Sequence, residues 1–126
     1  ALGVKNTSQW SKDLDNKANK KFVQDFQKEY GRLPSLYASQ GYDTGKLLIS
    51  ALNVADVKDQ DKFRSALKNA NFESTRGSFK FDTNQHPIQD IYVREVIKEG
   101  KILTNKIIST GLKNRSNAYV KDCPLK

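Results

Sequence analysis

The chain has 126 residues, 37% of them hydrophobic, which suits one ordinary domain or a piece of a larger one with a core that is not generous. Lys and Arg number 22 against 14 Asp and Glu, a formal charge of +8, but the lysines are scattered through every segment. Dispersed charge favours a solvated surface over a focused nucleic-acid or membrane patch, and no stretch approaches the roughly 20 apolar residues that a membrane helix needs.

The start, ALGVKNTSQW, has no initiator Met and lacks the basic and apolar regions of a signal peptide. The chain is therefore expected to be processed or to begin within a longer protein. Residues 1–12 read as irregular, with Trp10 their one large aromatic group. In DLDNKANKKFVQDFQKEYG, Asp15 or Asn16 can cap a helix start. Ala18, Phe22, Phe26 and Tyr30 follow at fourfold spacing, with Val23 beside them, forming one helical stripe. Gly31 ends that helix and Pro34 blocks its continuation. LYASQ reads as a short connector. A second helix is expected from about Tyr42 to Val54, packing through Leu48, Ile49, Leu52 and Ala55. A third, about 59–70, starts on Asp59 and carries Phe63, Ala66, Leu67 and Ala70.

After Asn71 the period changes from helical to alternating. GSFKFD places Phe79 and Phe81 around Lys80, a strand pattern, and TNQHPIQ reads as a loop. DIYVREVIKEGKILTNKIIST then reads as a hairpin turning at Glu99-Gly100-Lys101. The tail to Lys126 is polar and weakly patterned. Three amphipathic helices need a sheet or further helices to cover them, and a single hairpin gives little cover. The chain is expected to be part of a fold.

Catalytic patterns are missing. The single histidine, His86, lies in a loop before Pro87, and no Cys/His spacing suits zinc. DTGK at 43–46 lacks the first glycine and the preceding strand of a phosphate loop. Asp13 and Asp15 sit beside a helix start, where the helix dipole explains them. No cofactor or metal is expected, and the chain does not read as an enzyme. Cys123 is the only cysteine, either a free thiol or half of a bridge whose partner lies outside this sequence.

Three stretches together resemble one family. WSKDLDNKANKKFVQDFQKEYGRLPS resembles a Trp and Asn-rich turn leading into F-x-x-x-[FY]-x-x-x-[YF]-G-x-x-P. YASQGYDTGKLLISAL resembles a following Y-D-[AT]-x-x-L-L-x-x-A-L helix. KFRSALKNANFESTRGSFKFDTNQHPIQDIYVREV resembles A-L-x-x-x-x-F-x-S-x-R-G-x-[FL]-x-F-x-x-[ND]-x-x-P-x-Q-[DN]. In order and spacing these resemble the leucine-binding-protein-like family, type I periplasmic solute-binding proteins that feed ABC importers. The resemblance runs from about Gly3 to Cys123 and matches only the C-terminal third or so of such a protein.

The resemblance implies an α/β fold: the C-terminal part of a two-lobed type I periplasmic-binding (Venus-flytrap) fold, three helices followed by a β-hairpin. About 1–75 would be the helical part of one lobe, and about 76–126 the hinge crossing and hairpin. Tyr37 and Gln40 would line the ligand cleft, with packing against a neighbouring helix the alternative for Tyr37. Tyr42 and Asp43 would begin the helix, Asp43 complementing its dipole and Tyr42 near the hinge and cleft. Trp10 would approach the cleft or cover the first helix. Arg76, His86 and Gln89 are hinge candidates, Arg76 alternatively pairing with a ligand carboxylate. Cys123 would resemble a family cysteine bridged to an absent partner.

The implied partners are a small amino acid, amide or aromatic acid, an ABC permease reached through the parent protein, and further copies of the chain. The implied location is the periplasm. A small basic α+β nucleic-acid-binding module is the competing class, and an enzyme using Asp13, Asp15 and His86 a third.

Overall fold

The computed structural model describes residues 1–125. Helix α1 (Lys17–Tyr30) starts where Asn16 accepts the backbone N–H of Asn19, and it ends at Gly31, whose φ of 65° is left-handed and costs a glycine little. Helix α2 spans Leu36–Leu52, capped by Ser35 through the Ala38 N–H. The stretch LYASQ, expected as a connector, is thus the first turn and a half of α2. Pro34 and Ser35 start the helix six residues, more than a turn and a half, earlier than expected, and nothing in Leu36–Gln40 resists helix. Helix α3 (Gln60–Asn69) begins at Asp59, which accepts from Lys62, as expected, and ends on Ala70 in the left-handed region.

All strand pairings among the described residues are antiparallel. The frame is the hairpin of β3 (Pro87–Glu99) and β4 (Ile102–Arg115), joined by the two residues Gly100 and Lys101. Gly100 takes a φ of 59°, the positive angle that short hairpin turns need. On the other edge of β3 lie two short strands in succession. One is β1 (Lys5–Ser8), with Ser8 opposite Tyr92, and the other is β2 (Lys80–Phe81), opposite Pro87 and Ile88.

Two expectations change here. Residues 1–12 are not irregular, because β1 lies within them, and the tail's first part continues β4 as far as Arg115. Neither alternates cleanly between apolar and polar, so periodicity alone cannot find them. Arg94 holds β1 in place. Its Nε and Nη2 donate to Asn6 Oδ1 at 2.9 and 2.7 Å, and its Nη1 to the Trp10 carbonyl at 2.8 Å. Burial draws this guanidinium's pKa below its usual value, and Asp13 opposes the shift.

The core is small. Trp10, Leu14 and Phe22 are its buried centre, surrounded by Val23, Phe26, Leu36, Ala38, Tyr42, Tyr92 and Ile107. Tyr92 and Ile107 bring the hairpin against the cluster of Trp10, Leu14 and Phe22, giving more cover than a lone hairpin promised. Burial, and the neighbouring Asp90 carboxylate, push the Tyr92 phenol above its usual 10.0. Asn19 ties the core to the loop before α1. It accepts from Trp10 Nε1 at 2.7 Å and donates to the Ser11, Lys12 and Leu14 carbonyls at 3.2 Å each. A second aromatic series, Phe72, Phe79 and Phe81, lines the approach to β2 with centroids 5.3 and 5.0 Å apart.

Much apolar surface stays open. Leu48, Ile49 and Leu52 on α2, and Val54 and Val57 after it, are exposed.

Asn19→Ala is expected to lower unfolding free energy by about 2–4 kcal/mol in urea denaturation, because an indole N–H and several carbonyls lose their partner together inside the core.

Candidate functional site

The most constrained chemistry lies on α2 and the turn Ser74-Thr75-Arg76-Gly77. Asp43, 2% exposed, sits inside α2 rather than at its start, so it does not serve the helix dipole as expected. Its Oδ1 accepts the Thr75 backbone N–H at 2.9 Å, and its Oδ2 accepts Ser74 Oγ at 2.6 Å and Arg76 Nε at 3.2 Å. Arg76 then donates from Nη1 to Gln89 Oε1 on β3 at 2.9 Å, its guanidinium carbon 4.5 Å from the centroid of the Phe79 ring. Ser39, one turn before Asp43 on the same face, shares a 2.8 Å hydrogen bond with Thr75 Oγ1, and Asn16 Nδ2 donates to the Thr75 carbonyl at 3.0 Å. The cap of α1, the first half of α2 and the start of β3 therefore meet at one four-residue turn.

The sequence indicated Arg76 and Gln89, and the structure joins them directly. It did not indicate Asp43, Ser39, Ser74 or Thr75 for this node. One pattern pointed to them: Ser39 and Asp43 are polar at i and i+4 on a helix, where a buried face would ordinarily be apolar.

The four ligand candidates are not gathered. Tyr37, 79% exposed, projects from the first turn of α2, with half-buried Gln40 three residues further along. Tyr42 lies five residues from Tyr37, about 140° around the helix. It turns inward, its ring 4.8 Å from Phe22. Trp10, 3% exposed, meets Phe22 edge-on at 6.2 Å and covers α1. Two grooves flank Tyr42. One, of about 460 Å³, runs past Lys17, Lys21 and Lys46, and the other, of about 430 Å³, past Phe26 and Ala38.

His86 lies in the turn before β3, where its Nδ1 faces Asn117 Nδ2 at 3.2 Å. Beside it, Asp82 is hydrogen-bonded by the Ser116 hydroxyl and the Thr83 N–H, which hold its carboxyl below the usual 3.8. Cys123 is a free, half-buried thiol. Asp13 accepts the Ile107 N–H at 2.9 Å, while Asp15 faces Lys20, which lowers its pKa. Among the described residues, no group of three or more His, Cys, Asp or Glu is placed to hold a metal ion, and no helix is long and apolar enough to cross a membrane.

Arg76→Met is expected to destabilise the chain by about 3–5 kcal/mol in chemical denaturation, since it leaves the buried Asp43 carboxylate without its cation.

The periplasmic binding protein family matches residues 1–101. Leu/Ile/Val-binding protein homolog 6 of Brucella abortus (strain 2308) is 34% identical over 104 residues, 78% of this chain and 26% of that protein. The chain thus spans about a quarter of the length of the curated relatives it matches.

Among solved structures, an ABC-transporter solute-binding protein from R. palustris in complex with benzoate superposes with a TM-score of 0.85 and 30% identity, over 93% of this chain and 32% of that one. A second, from Rhodopseudomonas palustris BisB5 in complex with 3,4-dihydroxybenzoic acid, gives 0.80 and 31% over 94% and 33%. An ABC-transporter substrate-binding protein from Desulfitobacterium hafniense in complex with Leu gives 0.73 and 26% over 86% and 32%.

Proposed function

The chain belongs to the periplasmic binding protein family, and from that membership we propose that it supplies part of the solute-binding component of an ABC importer in the periplasm. The solute is a small organic carboxylate with an apolar body. Benzoate, 3,4-dihydroxybenzoate and leucine, held by the similar structures, share that chemistry. Capture is by closure of two lobes, with binding stabilising the closed state and no covalent step. About 1–75 belong to one lobe, and about 76–126 carry the hinge crossing and hairpin, with Arg76, His86 and Gln89 at the hinge. Cys123 pairs with a cysteine elsewhere in the parent protein.

One observation carries the site reading: Tyr37, a large aromatic on a rigid helix start, stands 79% exposed with its ring free for a ligand. A tyrosine offers an apolar face and a polar tip, which suits a flat carboxylate. Gln40 stands beside it as a polar partner. Tyr42 and Trp10 contribute from beneath, by stiffening Phe22 and the start of α2.

The test is a graft. This chain replaces the corresponding third of the benzoate-binding R. palustris protein, and titration calorimetry follows benzoate and leucine. We expect one saturable site in the graft, at least tenfold weaker after Tyr37→Ala. The 126-residue chain alone should give no saturable heat. A graft that folds and binds neither solute, or ignores Tyr37→Ala, would overturn the reading.

The same reading makes the open face of α2 a surface covered in the parent protein. The isolated chain should therefore associate with itself at high concentration. Sedimentation velocity is expected to show species larger than monomer, and Leu48→Glu with Leu52→Glu should return it to monomer. A nucleic-acid-binding module would instead show binding that falls steeply with salt. A gel-shift series across ionic strength should show none.

A further inference from the structure

We propose that Asp43 is the positioning residue of the solute-facing end of α2. The inference rests on the reading that the first turns of α2 face the solute, and it assigns what holds them there. Tyr37 and Gln40 project from a helix start whose apolar residues Leu36, Ala38 and Tyr42 pack on the core from one side. Its polar attachments leave from the side turned away from Tyr37: Ser39 to Thr75, and Asp43 to Ser74, Thr75 and Arg76.

Asp43 organises this set, because one carboxylate takes three donors from three consecutive residues. It thereby fixes the turn that Ser39 reaches and that Asn16 holds from the α1 side. Arg76 extends the same connection to Gln89 on β3. The orientation of the Tyr37 end relative to β3 is thus set through side chains, none of which needs to touch solute. An arrangement of this kind acts as a supporting shell: it keeps contact residues in the geometry that binding requires. Buried charge makes it all-or-none, since a carboxylate taken from water keeps its place only while its donors are present.

Amide hydrogen exchange on the whole 126-residue chain tests this without any solute. In Asp43→Asn, which keeps the side-chain shape and removes the charge, the amides of residues 39–42 should exchange at least tenfold faster than in the parent chain. Those of residues 93–98 in the hairpin should stay within twofold. Should Asp43→Asn fail to fold, Ser74→Ala removes one donor and should raise exchange at the same 39–42 amides about threefold.

Unchanged exchange at 39–42, or an equal rise throughout the chain, overturns the proposal. Equal loss everywhere would mean that Asp43 serves general stability only. A graft that fails to bind solute would instead sink the reading of the site and leave this exchange result standing.

Discussion

A carboxylate sealed from water must find donors or lose its charge, and the placement of α2 depends on how Asp43 meets that demand. Three donors come from one turn, Ser74 to Arg76, so the turn cannot drift from the helix without stranding the charge. Around this fixed point the rest follows. Asn16, which caps α1, also holds Thr75. Gln89, near the start of β3, receives Arg76. Packing specifies these relations weakly, because among the described residues the large buried apolar groups are Trp10, Leu14 and Phe22, and the other buried apolar residues, Ala51, Ala66 and Ala70, are small. Directional hydrogen bonds do what volume does in larger cores.

This division of labour explains what the sequence disclosed. The helical stripe of Phe22, Phe26 and Tyr30, the Gly31 stop, the Asp59 cap and the Gly100 turn are local chemistry with local consequences, and each stands where periodicity and capping put it. The misses share a different cause. Strand β1 is four residues held by Arg94 and Asn6, a contact across nearly ninety positions that no local pattern encodes. The early start of α2 was hidden because Tyr and Gln at 37 and 40 read as loop chemistry, while the residues that bury that turn, Ser39 and Asp43, are polar. Asp43 itself looked like a dipole partner because its true donors lie more than thirty residues away. The family resemblance supplied the architecture. The residues alone supplied the helices and the hairpin.

The surface also divides by cause. Exposed lysines are spread among pairs such as Lys21 with Asp25 and Lys62 with Asp59, close in sequence and open to water, so they contribute little to stability. Exposed apolar residues also occur in groups, one on and just after α2 from Leu48 to Val57 and another along β4 at Ile102, Leu103, Ile108 and Leu112. Solvated charge needs no partner, whereas grouped apolar surface is what the proposed reading would have covered in a longer protein. That contrast is a physical counterpart to the similar structures being about three times as long as this chain.

Helix α2 therefore has three sides with three roles. One side, through Ser39 and Asp43, is bolted by hydrogen bonds to the turn before β2. A second, through Tyr42, packs on Phe22 and the hairpin-backed core. The third, with Tyr37 at one end and Leu48 and Leu52 at the other, stays open. A helix locked on two sides can present an aromatic ring without support from the third. Under the proposed reading that ring meets the solute, and the cost of ordering the helix that carries it has already been met by contacts on the other two sides. Preorganisation of this kind favours binding because little entropy remains to be lost when the ligand arrives. Under the same proposed reading it also separates selectivity from stability: changes at Tyr37 and Gln40 would alter which carboxylate fits, while Asp43 and the core continue to hold the helix.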